Sequence, residues 1–395
     1  MVVGGSTRGV WLDALVLAVA LAALACEDEP GKSPQPAQPV NDAQDPAPRP
    51  DAAPPTKDAS MDASLPVDAG KPDSARPDAS AQPDAHVPDA APDALIDAAM
   101  PDTPPTTLAE TGLFAPGSSS ELAPGVQAYS PRYVLWADQA EKERWFYLPE
   151  DTQIDSSDMD YWSFPVGTKA WKLFSRDGKK LETRLLWKTE TGWLRVAYAW
   201  NDAETEAVAV PDGQQNVRNT EHDIPNRTAC NECHTGLPDR LLGVGAIQLS
   251  HSGTGMTLAS LIADGRLSAP PPGTGPGFAL ADSTEWNALG YMHANCGHCH
   301  NPRSDQYDKV DLDLWLRTSQ LAAATQTESY KTTVSQLLTD TASQNMFRVA
   351  PGEPGMSGLI ERMELRGNEQ AMPPIASEQV DATGSGAVRA WIDDL

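Results

Sequence analysis

The apolar positions of this chain fall into four textures. Residues 14–25 form an unbroken run of Ala, Leu and Val, whereas residues 27–107 hold no apolar run longer than a few residues. From 108 to 228 the pattern changes to short stretches that alternate or run apolar over strand lengths, as in 180–188 and 193–200. Turn signals at Asp177-Gly178 and Thr191-Gly192 interrupt them, which predicts an antiparallel β-rich domain built from hairpins. Seven of the 11 tryptophans lie between Trp136 and Trp200, where they are expected to form the core of that domain. Farther on, the spacing becomes helical. Asp282 and Glu285 stand at capping spacing before Trp286, and the helix they open runs into Cys296. Another helix is read over 357–366, and Val388, Trp391 and Ile392 make an i, i+3, i+4 face on a last helix. The expected fold class is multidomain α+β: a disordered linker over 27–107, a β-rich antiparallel domain over 108–228, a segment over 229–281 and an all-α domain over 282–395.

Composition sharpens the first two textures. The stretch 27–107 holds 18 of the chain's 35 prolines and repeats a Pro-Asp-Ala theme, as at Pro77-Asp78-Ala79 and Pro83-Asp84-Ala85. It has too little to bury to offset the entropy of ordering, so it is expected to be an extended, disordered spacer. The whole chain carries a formal charge of −26. The spacer contributes 16 acids against 5 bases, a net −11, and residues 108–395 contribute 38 against 23, a net −15. Such acidity argues against nucleic acid as a partner and suits docking to basic proteins or small molecules. The run 14–25 is too short to span a bilayer comfortably, follows Arg8 and ends in small residues, which is the layout of a secretory signal. Cys26 stands directly after it. The segment Ala23-Leu24-Ala25-Cys26 resembles a bacterial lipoprotein signal, which implies that residues 1–26 are a signal peptide and that Cys26 is lipidated. The protein is then expected to be exported and lipid-anchored, facing the periplasm or the cell surface.

The other four cysteines fall in two identical frames, Cys230-Asn231-Glu232-Cys233-His234 and Cys296-Gly297-His298-Cys299-His300. On a helical turn, residues i and i+3 share a face. Two cysteines so placed suit thioether bonds to the two vinyl groups of one porphyrin edge, and the following histidine suits ligation of the iron. Two covalently attached haem c groups are therefore expected, with His234 and His300 as iron ligands. A Cys₄ zinc site would leave both histidines unexplained across a 62-residue gap, and a thioredoxin-like pair lacks its βαβ context.

Phe164-Pro165-Val166-Gly167-Thr168 and Trp171-Lys172-Leu173-Phe174, taken with the Ile224-Pro225-Asn226 that precedes the first motif, resemble a family of bacterial dihaem cytochromes with an N-terminal β-rich half. The region from 282 resembles class I cytochrome c. That resemblance implies that its first and last helices pack together and that Met372, before Pro373-Pro374, is the distal ligand of the second haem. Met346 and Met363 are the fallbacks, Met363 being expected to face the core. For the first haem the candidate sixth ligands are His251, Met256, Met292 and His293, or none. The β segment is also similar to small lysine–haem cross-linked cytochromes that oxidise hydroxylamine, which makes Lys172 the candidate cross-linking residue and implies an open iron in an apolar pocket. Asp155, Asp158 and Asp160 suit calcium or, better, a solvated loop.

Three functions fit these residues. The leading one is electron transfer by a dihaem cytochrome. The next is a haem oxidoreductase acting on a small substrate at the first haem, with the second as electron outlet. The third is a surface lipoprotein whose β domain binds a partner and whose first motif is vestigial.

Overall fold

The computed structural model describes residues 104–239, 241–273, 277–339, 343–375 and 377–395. All of them belong to one compact unit. The expected signal peptide, Cys26 and nearly all of the spacer lie outside the described residues. The described chain starts at residue 104, four residues before the expected boundary of the β-rich domain. Pro105 accepts a hydrogen bond from the Tyr198 hydroxyl, Thr106 accepts one from the Ala209 amide, and Thr107 bridges to Val208.

Six strands form one antiparallel sheet in sequence order: β1 (Val126–Ala128), β2 (Glu141–Tyr147), β3 (Lys169–Arg176), β4 (Lys179–Thr189), β5 (Gly192–Trp200) and β6 (Ala207–Ala209). The β3–β4 turn falls at Asp177-Gly178, where both residues have positive φ, as the turn chemistry requires. Side-chain alternation splits the sheet into two unlike faces. On one, Trp145, Trp171, Leu185 and Val196 stand opposite one another across four strands. With Leu108, Leu113, Leu173, Tyr198 and Trp200 they make an apolar core; Trp162 and Trp193 are buried on the opposite face, so five of the seven clustered tryptophans are buried.

The opposite face is divided along its length. At one end Phe146, Ala170 and Trp193 pack against Leu241, Val244, Leu249, Met256, Leu258, Leu261 and Leu267. The segment after the first motif, including the short helices α2 (Ala246–Leu249) and α3 (Leu258–Ala263), thus builds a second core under the sheet. At the other end Arg144, Lys172 and Arg184 lie side by side on β2, β3 and β4. Here α1 (Arg227–His234) packs on β5.

The remaining helices are α4 (Thr284–Asn295), α5 (Tyr307–Val310), α6 (Glu328–Lys331), α7 (Gly358–Glu364) and α8 (Ala382–Asp393). A third core joins Trp286, Leu289 and Met292 of α4 to Val388, Trp391 and Ile392 of α8, with Leu314, Leu316, Val349 and Ile360 around them. The two helices approach closely because Gly384 sits under the Tyr291 ring, where a Cβ would come within 2.1 Å. Ser283, not Asp282, caps α4 by accepting the Trp286 amide; the Asp282 carboxylate takes the Asn287 side chain instead. The fold is therefore mixed α+β, an antiparallel sheet with helices. Among the described residues no helix is long and apolar enough to cross a membrane.

Candidate functional site

The first motif is carried by α1. Asn226 caps that helix by accepting the Ala229 amide at 2.9 Å, which starts the turn early enough to put Cys230 and Cys233 on one face. That face looks onto the charged end of the sheet. Burial raises both thiols; Arg184 opposes the rise at both, and Lys172 at Cys233. The second motif extends α4. Cys296 donates to the Met292 carbonyl at 2.8 Å, and His300 donates to the Cys296 carbonyl at 2.9 Å. Burial pushes the Cys296 and Cys299 thiols up to about 12. Burial, with the charges of Arg348 and Arg362, holds His300 down at about 4. The cysteines are thus neutral thiols and His300 a neutral imidazole at ordinary pH, and a neutral imidazole is the form that ligates metal.

The two motifs touch. The Cys299 sulfur lies 3.9 Å from the Glu232 carbonyl oxygen. The buried Asn301 amide donates to Gly236 at 3.0 Å, Gly297 at 2.8 Å and His298 at 3.2 Å. Gly236 fits so tightly that a Cβ there would come 1.9 Å from the His298 carbonyl oxygen. Gly236→Ala is therefore expected to cost about 1–3 kcal/mol by overpacking, read as a lowered denaturant midpoint. His298, inside the second motif, is buried at the junction with its Nδ1 unpartnered. Burial, then His300 and Lys172, hold it down at about 4.

Gly236, Asn301 and His298 were not singled out by the sequence. The only signal for them is position, each lying inside a motif or within two residues of its end.

Met372 donates its amide to the Arg362 carbonyl at 2.9 Å, and the Arg362 charge acts on His300. Arg362 is thus a shared neighbour of His300 and Met372. Met363 is buried in the helical core, as read, while Met346 is 65% exposed. The four candidates for the first motif are engaged elsewhere. His251 uses both ring nitrogens, on Ser130 and Gly253. Met256 belongs to the core under the sheet and Met292 to the helical core. His293 accepts the Leu316 amide at 3.1 Å and lies 4.2 Å from the Trp315 ring.

Lys172 lies near enough to Cys233 for their charges to interact, but its surroundings correct the expectation of an apolar pocket. The face around it is cationic because β2, β3 and β4 each place a base there, at Arg144, Lys172 and Arg184. The acidic cluster is a tie within the fold: Asp155 binds Ser157 and Ser268, Asp158 pairs with Arg303, and Asp160 accepts the Thr318 amide. Among the described residues no three His, Cys, Asp or Glu side chains converge as a metal-binding group. Compared with known proteins, the chain matches no family model, no curated protein and no solved structure.

Proposed function

We propose that this chain is an exported, lipid-anchored dihaem c-type cytochrome that passes electrons between redox proteins. Cys230 and Cys233 hold one haem c, with His234 as iron ligand. Cys296 and Cys299 hold the other, between His300 and Met372, in a helical part of class I cytochrome c type. The observation that carries the reading is the contact between two attachment motifs far apart in sequence, made through Cys299, Glu232, Asn301 and Gly236. Two groups held by such neighbouring motifs are near enough to exchange electrons. The residues also fit the group: all four motif cysteines are free, as thioether formation needs, and the buried Nδ1 of His300 has no hydrogen-bond partner. Haem bound there supplies one-electron chemistry, and His/Met ligation fills both axial positions.

Pyridine haemochrome assay of the exported protein is expected to give two haems per chain; one or none overturns the reading. Met372→Ala is expected to abolish the methionine–iron absorption band while leaving haem content at two. A retained band would remove Met372 from the ligand set.

A second reading, an oxidoreductase with an open iron at the first motif, is favoured by the engagement of His251, Met256, Met292 and His293 elsewhere. Its mark is a high-spin signal perturbed by cyanide. Wholly low-spin spectra in the oxidised protein would eliminate it.

A further inference from the structure

Residues Arg144, Lys172 and Arg184 occupy one register line across β2, β3 and β4. Lys142 lies one pleat away on the same face, opposite Phe174. Their charges press on one another. Burial, then Lys172, Arg144 and Arg184, bring Lys142 down to about 6; burial, then Arg144 and Arg184, bring Lys172 down to about 7. Arg184 has a carboxylate, since Glu182 takes it in a two-point bond. Lys142 donates to the Leu135 carbonyl. Arg144 is 7% exposed and, among the described residues, its guanidinium has no hydrogen-bond or ion-pair partner. Lys172 has the Phe174 ring 5.9 Å from its ammonium and feels the charge of Glu182, which Arg184 already holds. A buried guanidinium beside a half-buried ammonium, neither in a direct ion pair among the described residues, makes this face cationic, and an anion on it would be favoured by both.

The row also has a direction. Arg184 acts on Cys230 and Cys233, and Lys172 acts on Cys233. Arg144 stands one strand farther out than Lys172. Adjacent strands are about 4.8 Å apart, so Arg144 lies roughly 10 Å from the Arg184 line. That is comparable to the span of a porphyrin from its vinyl edge to its propionate edge. We infer that Arg144 and Lys172 form the carboxylate site for the propionates of the haem attached at Cys230 and Cys233. The inference rests on the proposed function. It assigns a role to a face that the haem motifs alone do not predict, and it gives an acidic protein a reason to bury cations there.

The test uses the full exported chain with Arg144→Leu and Lys172→Met, and Arg144→Lys as the charge-keeping variant. Haem is counted first: fewer than two per chain in the wild type overturns the proposed function itself. With two haems present, both charge-removing variants are expected to shift the propionate bending band in resonance Raman spectra. They should also move the first haem about tenfold towards its oxidised form at fixed potential, equivalent to 59 mV for a one-electron couple. The second haem should not move. Arg144→Lys keeps the charge but loses the forked geometry, so it should shift the band and leave the potential in place. Its band shift alone still tests the inference if a charge-removing variant fails to accumulate. An unchanged band in these variants, with two haems bound, overturns the inference and leaves the proposed function standing. Nitrite, sulfite and phosphate should leave the wild-type spectrum unchanged. A saturable response abolished by Arg144→Leu would assign the site to a free oxyanion and overturn the inference.

Discussion

Glu182→Ala is expected to lower stability by about 3–5 kcal/mol, the range for breaking a buried ion pair and leaving one partner behind. Glu182 has no exposed surface. Both of its oxygens are held by Arg184, at 2.6 and 2.9 Å, and Oε1 also meets His222 Nε2 at 2.7 Å. Burial alone would raise this carboxyl, but Arg184 and His222 outweigh it and hold the carboxyl below its ordinary value. A depressed carboxyl contributes stability that is present above its unfolded value and is lost as pH falls through the folded one. The alanine variant should therefore differ most from wild type at neutral pH and converge on it in acid. Glu182→Gln keeps the shape and part of the hydrogen bonding, so it should cost less than Glu182→Ala. Guanidinium denaturation at pH 7 and pH 4 checks both claims. Equal losses at the two pH values would refute the ion-pair account. In the loaded protein, removing this negative charge should also move the first haem towards its reduced form, opposite in sign to Arg144→Leu.

The hairpins and the last helix were legible because their apolar positions follow one period without interruption. Trp171, Leu173, Leu185, Val196 and Tyr198 announce a buried face by alternation alone. Val388, Trp391 and Ile392 announce a buried helical stripe. The other sheet face was not legible for the same reason. Arg144, Lys172, Glu182 and Arg184 alternate with that apolar set as solvent-facing residues do. Nothing local says that α1, far along the chain, will pack over β5 beside them. The α4 cap was misplaced by one residue because Asp282, Ser283 and Thr284 are all competent caps, and only geometry selects Ser283. For the site, the CxxCH frames name their own residues. Their contact depends on Asn301 and Gly236, whose value lies wholly in what they meet 65 residues away along the chain. Close approach of two backbones leaves no periodic trace in a sequence.

Acid is expected to destabilise this protein through His293 before most of its carboxylates titrate. The imidazole is 3% exposed, and burial, followed by the charges of His298 and Arg317, lowers it from the usual 6.5 to about 3. Its Nδ1 is already accepting the Leu316 amide, so a proton there would displace a hydrogen bond as well as place a charge in the core. The unfolded chain takes up this proton near pH 6.5 and the folded chain only near 3. Stability is therefore flat above pH 6.5 and falls as pH drops between those limits. A shift of this size corresponds to a loss on the order of 5 kcal/mol once both limits are passed. His293→Phe cannot bind the proton, so its stability should change less between pH 7 and pH 4 than that of the wild type, although it loses the Leu316 hydrogen bond at every pH. The comparison is made as the difference between two denaturation curves, which removes the contribution of the other titrating groups. Parallel pH profiles would show that His293 is not buried neutral. The same variant separates packing from ligation: with His293 held by Leu316 and Trp315, the spin state of both haems should be unchanged by its replacement.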